Sequence, residues 1–209
     1  MSLKIETIVN GPFQENCYLV YDDKNKQGAF IDPGDEPDKL ISAAKIKEVK
    51  VEAIFNTHGH LDHAGAVADI ADKLKIPFAM HPEDEFLLEG MPSQAAMFGL
   101  PPMRIPTLDR RLKAGEQIEI AGHKGEVLFT PGHTPGGVCF LFNDVVFVGD
   151  TLFAGSIGRT DLPGGSHKQL LSSIKSKLMV LDDSVRAFSG HGPVTTIGNE
   201  RRNNPFLRL

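Results

Sequence analysis

Residues 57–65 read Thr57-His58-Gly59-His60-Leu61-Asp62-His63-Ala64-Gly65. Four side chains able to ligate a metal, His58, His60, Asp62 and His63, fall within six residues, right after the apolar run Val51-Glu52-Ala53-Ile54-Phe55. Neutral imidazoles and a carboxylate are donors suited to zinc and iron. The run before them reads as a strand, so the cluster sits where a strand opens into a loop. It holds three of the chain's eight histidines, a concentration that a merely polar loop does not explain.

On the N-terminal side, short strands are expected near residues 3–9, 15–21 and 27–31, separated by the turn signals Asn10-Gly11-Pro12 and Asp22-Asp23-Lys24-Asn25. Asp32-Pro33-Gly34 ends the third strand, and a helix over 36–47 follows with Leu40, Ile41, Ala44 and Ile46 on its apolar face. Beyond the cluster, Val67, Ile70, Ala71 and Leu74 predict a helix over 64–74, and Pro77 opens a strand ending at Met80-His81. Residues 82–108 carry five prolines and Met91, Met97 and Met103. They read either as a loop with one short helix capping the core or as an adaptable apolar wall beside a site. The second half predicts strands near 117–121, 124–129, 137–142, 145–149 and 185–189, with a hairpin turn at Gly122-His123-Lys124-Gly125. It also predicts a helix over 167–178 with Ser166 as N-cap. Two strand-rich halves with interspersed helices suggest two packed sheets with helices outside.

Three further donors stand just past strand ends: His133 in Thr130-Pro131-Gly132-His133-Thr134-Pro135-Gly136, Asp150 after Val145–Gly149, and His191 after the last strand. Loops at one sheet edge converge though distant in sequence, and strand ends hold side chains more rigidly than free loops do. Seven donors exceed the four of one tetrahedral ion and fit two ions sharing a carboxylate.

This pattern, His-x-His-x-Asp-His followed by a spaced His, Asp and His, resembles that of the metallo-β-lactamase superfamily over nearly the whole chain. The resemblance implies an α/β fold, a four-layer αββα sandwich of two mixed β-sheets in one domain. It implies that His58, His60 and His133 serve one divalent ion, that Asp62, His63 and His191 serve the other, and that Asp150 bridges them. Zinc is the expected metal, with iron and manganese as alternatives. Asp150 stands where one branch of antibiotic-degrading enzymes has Cys, which points toward other hydrolases. Two divalent ions less the charges of Asp62 and Asp150 leave a positive excess that suits an anionic tetrahedral intermediate. Attack by a metal-bridging hydroxide then needs no Ser or Cys nucleophile. Asp62 and Asp150 are the expected catalytic carboxylates, Asp62 orienting the nucleophile or taking part in proton transfer.

Gly155-Ser156-Ile157-Gly158-Arg159-Thr160-Asp161-Leu162-Pro163-Gly164-Gly165 is similar to a loop of glyoxalase II and persulfide dioxygenase relatives. In glyoxalase II a basic residue there holds a glutathione carboxylate, and Arg159 matches it; a guanidinium fork suits a carboxylate. An Arg159–Asp161 pair that orders the loop is the competing reading. Asp161 departs from the aromatic residue usual in glyoxalase II. The 18 residues after His191 are expected not to supply the C-terminal helical domain that completes a glutathione site. The chain is therefore most similar to the short glyoxalase II-like proteins. The expected reaction is hydrolysis of a small-molecule thioester, S-lactoylglutathione or a related acyl-thiol. The alternatives are an iron-dependent persulfide dioxygenase and a catalytically inactive metal-stabilised binding module.

Composition is ordinary for a globular chain: 209 residues, 41% hydrophobic, 23% charged, net charge −5. The acidic balance argues against a nucleic-acid partner held by a broad basic surface. No apolar run reaches the ~18 residues of a membrane helix, and the N-terminus lacks a signal-peptide core. Cys17 and Cys139, each in a strand-like run, are expected to be buried free thiols rather than a disulfide or reactive pair. A cytoplasmic location is expected from these features. His81 is expected to be a structural residue or a donor near the site; His123 and His167 are expected at the surface.

Overall fold

Side-chain alternation along the strands sets the layering. In β2 (Glu15–Tyr21), Cys17, Leu19 and Tyr21 face one hydrophobic layer while Tyr18 and Val20 face another. Successive strand residues point to opposite faces, so a strand apolar at every position is buried on both sides. In the computed structural model, which describes residues 3–208, this pattern recurs in both halves of the chain.

The first sheet has the order β1 (Lys4–Asn10), β2, β3 (Gln27–Ile31), β4 (Lys50–Phe55), β5 (Phe78–Met80) and β6 (Arg110–Arg111). Its first three strands are antiparallel neighbours; β3 to β6 run parallel. Four helices belong to this half: α1 (Pro37–Ile46), α2 (Leu61–Ala64), α3 (Val67–Leu74) and α4 (Glu85–Met97). The second sheet is formed from β7 (Gln117–Ile120), β8 (His123–Phe129), β9 (Val138–Phe142), β10 (Val145–Gly149), β13 (Arg186–Ser189) and β14 (Thr195–Thr196). A small hairpin, β11 (Leu152–Phe153) with β12 (Ser156–Ile157), follows β10. Helices α5 (His167–Ser173) and α6 (Ile197–Asn203) complete this half.

Three layers of apolar side chains separate the four layers of structure. The central one joins Tyr18, Ile31 and Phe55 of the first sheet to Phe140, Phe147 and Phe188 of the second. One outer layer packs α1 to α4 on the first sheet through Leu40, Val67, Ile70 and Met91; the other packs α5 and α6 on the second through Leu170 and Ile197. Each fully buried side chain of this size stabilises the fold by roughly 1.5–3 kcal/mol. The arrangement is the αββα sandwich of mixed sheets expected from the sequence. Cys17 lies in one outer layer and Cys139 in the other, so the two thiols cannot pair, and both are free and buried.

Several elements depart from the sequence expectation. Residues 82–108 hold a 3-10 turn, Pro82–Asp84, and then a 13-residue helix rather than a short one. That helix contains Pro92, and Leu87, Leu88, Met91 and Ala95 bury its inner face. The helix expected over 64–74 begins at Val67 as α3, and a separate single turn, α2, precedes it over Leu61–Ala64. The helix begun at His167 passes into a π segment, Ile174–Leu178. The turn placed at residues 122–125 instead occupies Ala121 and Gly122, both at positive φ (53° and 85°). Two successive positive-φ residues match the twist of a tight hairpin, so His123 begins β8 and reaches Asp22 Oδ2 at 3.0 Å. No helix among the described residues is long and apolar enough to cross a membrane.

Candidate metal centre

The seven expected donors are brought together by strands from both sheets. His58 follows β4, His60 caps α2, and Asp62 and His63 lie in its only turn. From the second sheet, His133 lies between β8 and β9, Asp150 follows β10 directly, and His191 follows β13. Asn16 of β2 crosses the seam to donate through its side chain to the carbonyls of Ser189 (3.0 Å) and Gly192 (2.9 Å). Thr57 O accepts from Val138 N at 2.8 Å, tying the two ligand-bearing loops.

Two groups of three donors form, with ligand atoms within 4.8 Å of one another: His58, His60 and His133; and Asp62, His63 and His191. Asp150 stands between them. Its Oδ2 is 3.6 Å from His133 Nε2 and 3.7 Å from His191 Nε2, and its Oδ1 is 3.4 Å from His63 Nε2. A third compact group, Asp32 with His58 and His63, shares both histidines with the others. The Asp32 carboxylate already accepts from Thr57 N (2.7 Å), Thr57 Oγ1 (2.6 Å) and His63 Nδ1 (3.2 Å), so it reads as a holder of ligands.

Those holders fix which ring nitrogen each histidine presents. The Thr57 hydroxyl gives its single proton to Asp32, so it accepts from His58 Nδ1 at 3.0 Å. His63 spends Nδ1–H on Asp32, and His133 spends Nδ1–H on the Arg159 carbonyl at 2.8 Å. His58 and His133 thereby direct Nε2 toward the centre, the role that partners outside the ligand set play at metal sites. His63 directs Nε2 there too, but against its burial Asp150 and Asp62 raise its pKa well above the usual histidine value, so an ion bound there would displace a proton. His60 turns Nδ1 to within 3.0 Å of His133 Nε2.

Burial holds His58 well below the usual histidine range, aided by the neighbouring His63, and it lowers His60 to about 4 with His133 contributing. Both are therefore neutral donors at pH 7. For Asp62, burial alone would raise the pKa, yet His63 and His191 hold it below the ordinary carboxylate value. Asp150 is likewise kept ionised against its burial by His63 and His133.

The residues fit a pair of divalent cations. Among the described residues, His58 Nε2, His63 Nε2 and Asp150 Oδ1 are buried without a hydrogen-bond partner. An orphaned buried polar atom costs about 1–3 kcal/mol, and all three atoms point into the centre. Gly190 closes its back wall, where a Cβ would strike Asp150 Oδ1 and His63. Access is from the Asp62 and His191 side, whose side chains are 21% and 29% exposed.

Arg159 meets the centre through its backbone, and its guanidinium forms the Arg159–Asp161 pair, the competing expectation. Its carbonyl holds His133, while its exposed guanidinium forks onto Asp161 at 2.8 and 2.7 Å. His81 is not part of the centre; it stacks on Phe129 with ring centroids 4.6 Å apart. The proline- and methionine-rich segment is a core cap whose end also reaches the cleft beside Asp62. It caps the core through α4, and Leu100 and Met103 line a narrow cleft with Asp62, Phe13 and Pro12. The sequence reading missed Asp32, seen only as a strand terminator, and Thr57, quoted without a role. Asp32 was detectable: it ends the strand beside β4, level with the ligand cluster.

Comparison with known proteins identifies the family. The family profile described as the metallo-beta-lactamase superfamily matches residues 10–191. "Hydroxyacylglutathione hydrolase GloC" of Haemophilus influenzae is 42% identical over 209 residues, covering 98% of each chain. Among solved structures, the BLEG-1 B3 metallo-beta-lactamase is 38% identical with a TM-score of 0.91, over 98% of this chain and 99% of its own. TTHA1623, solved in a di-iron-bound form, is 42% identical with a TM-score of 0.87, over 97% of this chain and 100% of its own. The chain belongs to the metallo-β-lactamase superfamily.

Proposed function

We propose that the chain hydrolyses a small-molecule thioester, with S-lactoylglutathione the leading candidate, at a centre of two divalent ions. His58, His60 and His133 would hold one ion, Asp62, His63 and His191 the other, with Asp150 shared. The observation that carries this reading is that Thr57 and Asp32 take up the Nδ1 protons of His58 and His63, which leaves the Nε2 of each, one in either group of three, buried without a hydrogen-bond partner near Asp150. The 42% identity to the Haemophilus influenzae hydroxyacylglutathione hydrolase supports the thioester class.

When bound, two divalent ions supply polarisation of the acyl carbonyl and a water acidic enough to attack near neutral pH. The chain's own residues supply the rest. Asp62, ionised and about one-fifth exposed, would orient the attacking water or take part in its proton transfer. His191 Nε2, a ligand of the same ion in this reading, lies 3.3 Å from Asp62 Oδ2. In the overall reaction the acyl carbon gains an oxygen from water, the carbon–sulfur bond breaks, and the thiolate leaves to take up a proton. Zinc suits the donor set, and the di-iron form of a 42% identical relative supports iron as the alternative ion.

The test pairs metal analysis of the purified protein with thiol release from S-lactoylglutathione. About two ions per chain and metal-dependent thiol release are expected, and Asp150→Ala should lose both. Turnover by Asp150→Ala at the wild-type rate, or turnover of a β-lactam in place of any thioester, would overturn the reading.

A further inference from the structure

Asp84 ends the 3-10 turn before α4, on a segment that carries none of the seven donors, yet its side chain is wholly buried against the centre. Its Oδ2 accepts from Gly59 N at 3.0 Å and from Thr134 Oγ1 at 2.7 Å, and its Oδ1 accepts from Gly136 N at 2.6 Å. Gly59 lies between His58 and His60, while Thr134 and Gly136 flank His133 on its C-terminal side. One carboxylate thus ties together the two loops that present the three-histidine group. None of its hydrogen bonds goes to Asp62, His63 or His191 themselves or to the His191 loop; Gly59, three residues before Asp62, is its one contact on the stretch that also bears Asp62 and His63.

The fit is close on both loops. A Cβ at Gly59 would lie 2.8 Å from the Asp84 carbonyl oxygen, and one at Gly136 would lie 2.8 Å from the Asp84 carboxyl group. Each loop therefore approaches Asp84 as nearly as a backbone allows, and the carboxylate sets their spacing. Burial pushes the Asp84 pKa up, but hydrogen bonds from Thr134, Gly136 and Gly59 oppose the shift.

We propose that Asp84 is the positioning residue for one half of the centre: by bridging the His58–His60 loop to the His133 loop, it sets the affinity for the three-histidine ion and leaves the Asp62–His63–His191 ion alone. This inference rests on the two-ion reading above. A purely structural buried aspartate would lower stability, or weaken both ions together. A positioning residue weakens one of two.

Cobalt(II) titration of the metal-free protein, followed by its visible absorption and by calorimetry, separates the cases. Wild type should take up two ions. In Asp84→Asn, which keeps the shape but sets an NH2 group against one of the donors, one ion should bind about 10–100-fold more weakly and the other within twofold of wild type. Thr134→Val removes a single donor and should shift the same ion in the same direction by less; it carries the test if Asp84→Asn does not fold. Equal weakening of both ions, or unchanged binding of both, overturns the proposal. A wild type that binds one ion refutes the two-ion reading; in that case, weakening by Asp84→Asn still supports the role of Asp84, and its absence overturns it.

Discussion

Replacing Thr57 by valine tests a single proton. Valine has nearly the shape of threonine, and Thr57 is buried, so the exchange leaves no cavity. It removes the 2.6 Å charge-assisted bond to Asp32, a type worth about 1.5–3 kcal/mol. It also strips His58 Nδ1–H of its acceptor, an orphaned donor that costs about 1–3 kcal/mol. The two losses share one network and do not add in full, so a net cost of roughly 2–4 kcal/mol is expected. For a chain of this size that lowers Tm by about 5–15 °C in the metal-free protein, measured by calorimetry. The more telling effect is on the ring. His58 is neutral at pH 7, so it carries one proton. Without the Thr57 acceptor that proton is free to move to Nε2, the atom that faces the centre. Metal affinity, read by competition with a chromophoric chelator, should fall about 10–100-fold, and Thr57→Ser should restore most of it. A valine variant that loses stability but binds metal within twofold of wild type would refute the tautomer argument.

Gly190→Ala should be damaging out of proportion to its size, because the new methyl strikes Asp150 and His63 together. A stability loss of about 1–3 kcal/mol by denaturant titration, with metal affinity reduced at least about tenfold, is expected. Arg159→Ala should leave Tm unchanged, since the guanidinium is exposed and bonds only to exposed Asp161. If the same group also grips a substrate carboxylate, KM for a glutathione thioester rises in Arg159→Ala with kcat unchanged, and falls in Asp161→Ala, where the fork is released. For Cys139, burial raises the thiol pKa from 9.0 to about 11. The native state then keeps a proton that the unfolded chain gives up, so stability is full below pH 9 and falls as pH rises toward 11. Neither Cys139 nor the equally buried Cys17 should react with a disulfide reagent at pH 8 until the protein is denatured, which a spectrophotometric thiol count checks.

The parts of the fold legible in the sequence were those written in local periodicity. Val145, Phe147 and Val146, Val148 split cleanly between two layers, as a strand buried on both faces must. The seven donors were legible because they cluster in the loops just beyond strand ends, four of them in the single stretch after β4. Helix α4 was harder to read because Pro82, Pro92 and Pro101 mask the spacing of Leu87, Leu88, Met91 and Ala95. A proline inside a helix removes one backbone bond, and here the buried face outweighs that cost. Strand β14 has two residues and α6 seven, too short for any period to show. Asp84 was invisible for a different reason. Its partners are 25, 50 and 52 residues away, and nothing in Pro82-Glu83-Asp84-Glu85 sets the buried acid apart from the two beside it.

The donors are divided across the seam, four on the first sheet and three on the second. Neither half alone holds a complete group around Asp150, so in the proposed centre the cage exists only once the sheets have docked. Ions captured by the native state and not by the unfolded chain then act as a rivet. Free metal at a thousandfold over Kd adds about 4 kcal/mol per independent site. The lifetime of the protein against proteolysis would therefore follow the supply of metal, and starvation for the ion would thin the population of molecules as well as silence those that remain.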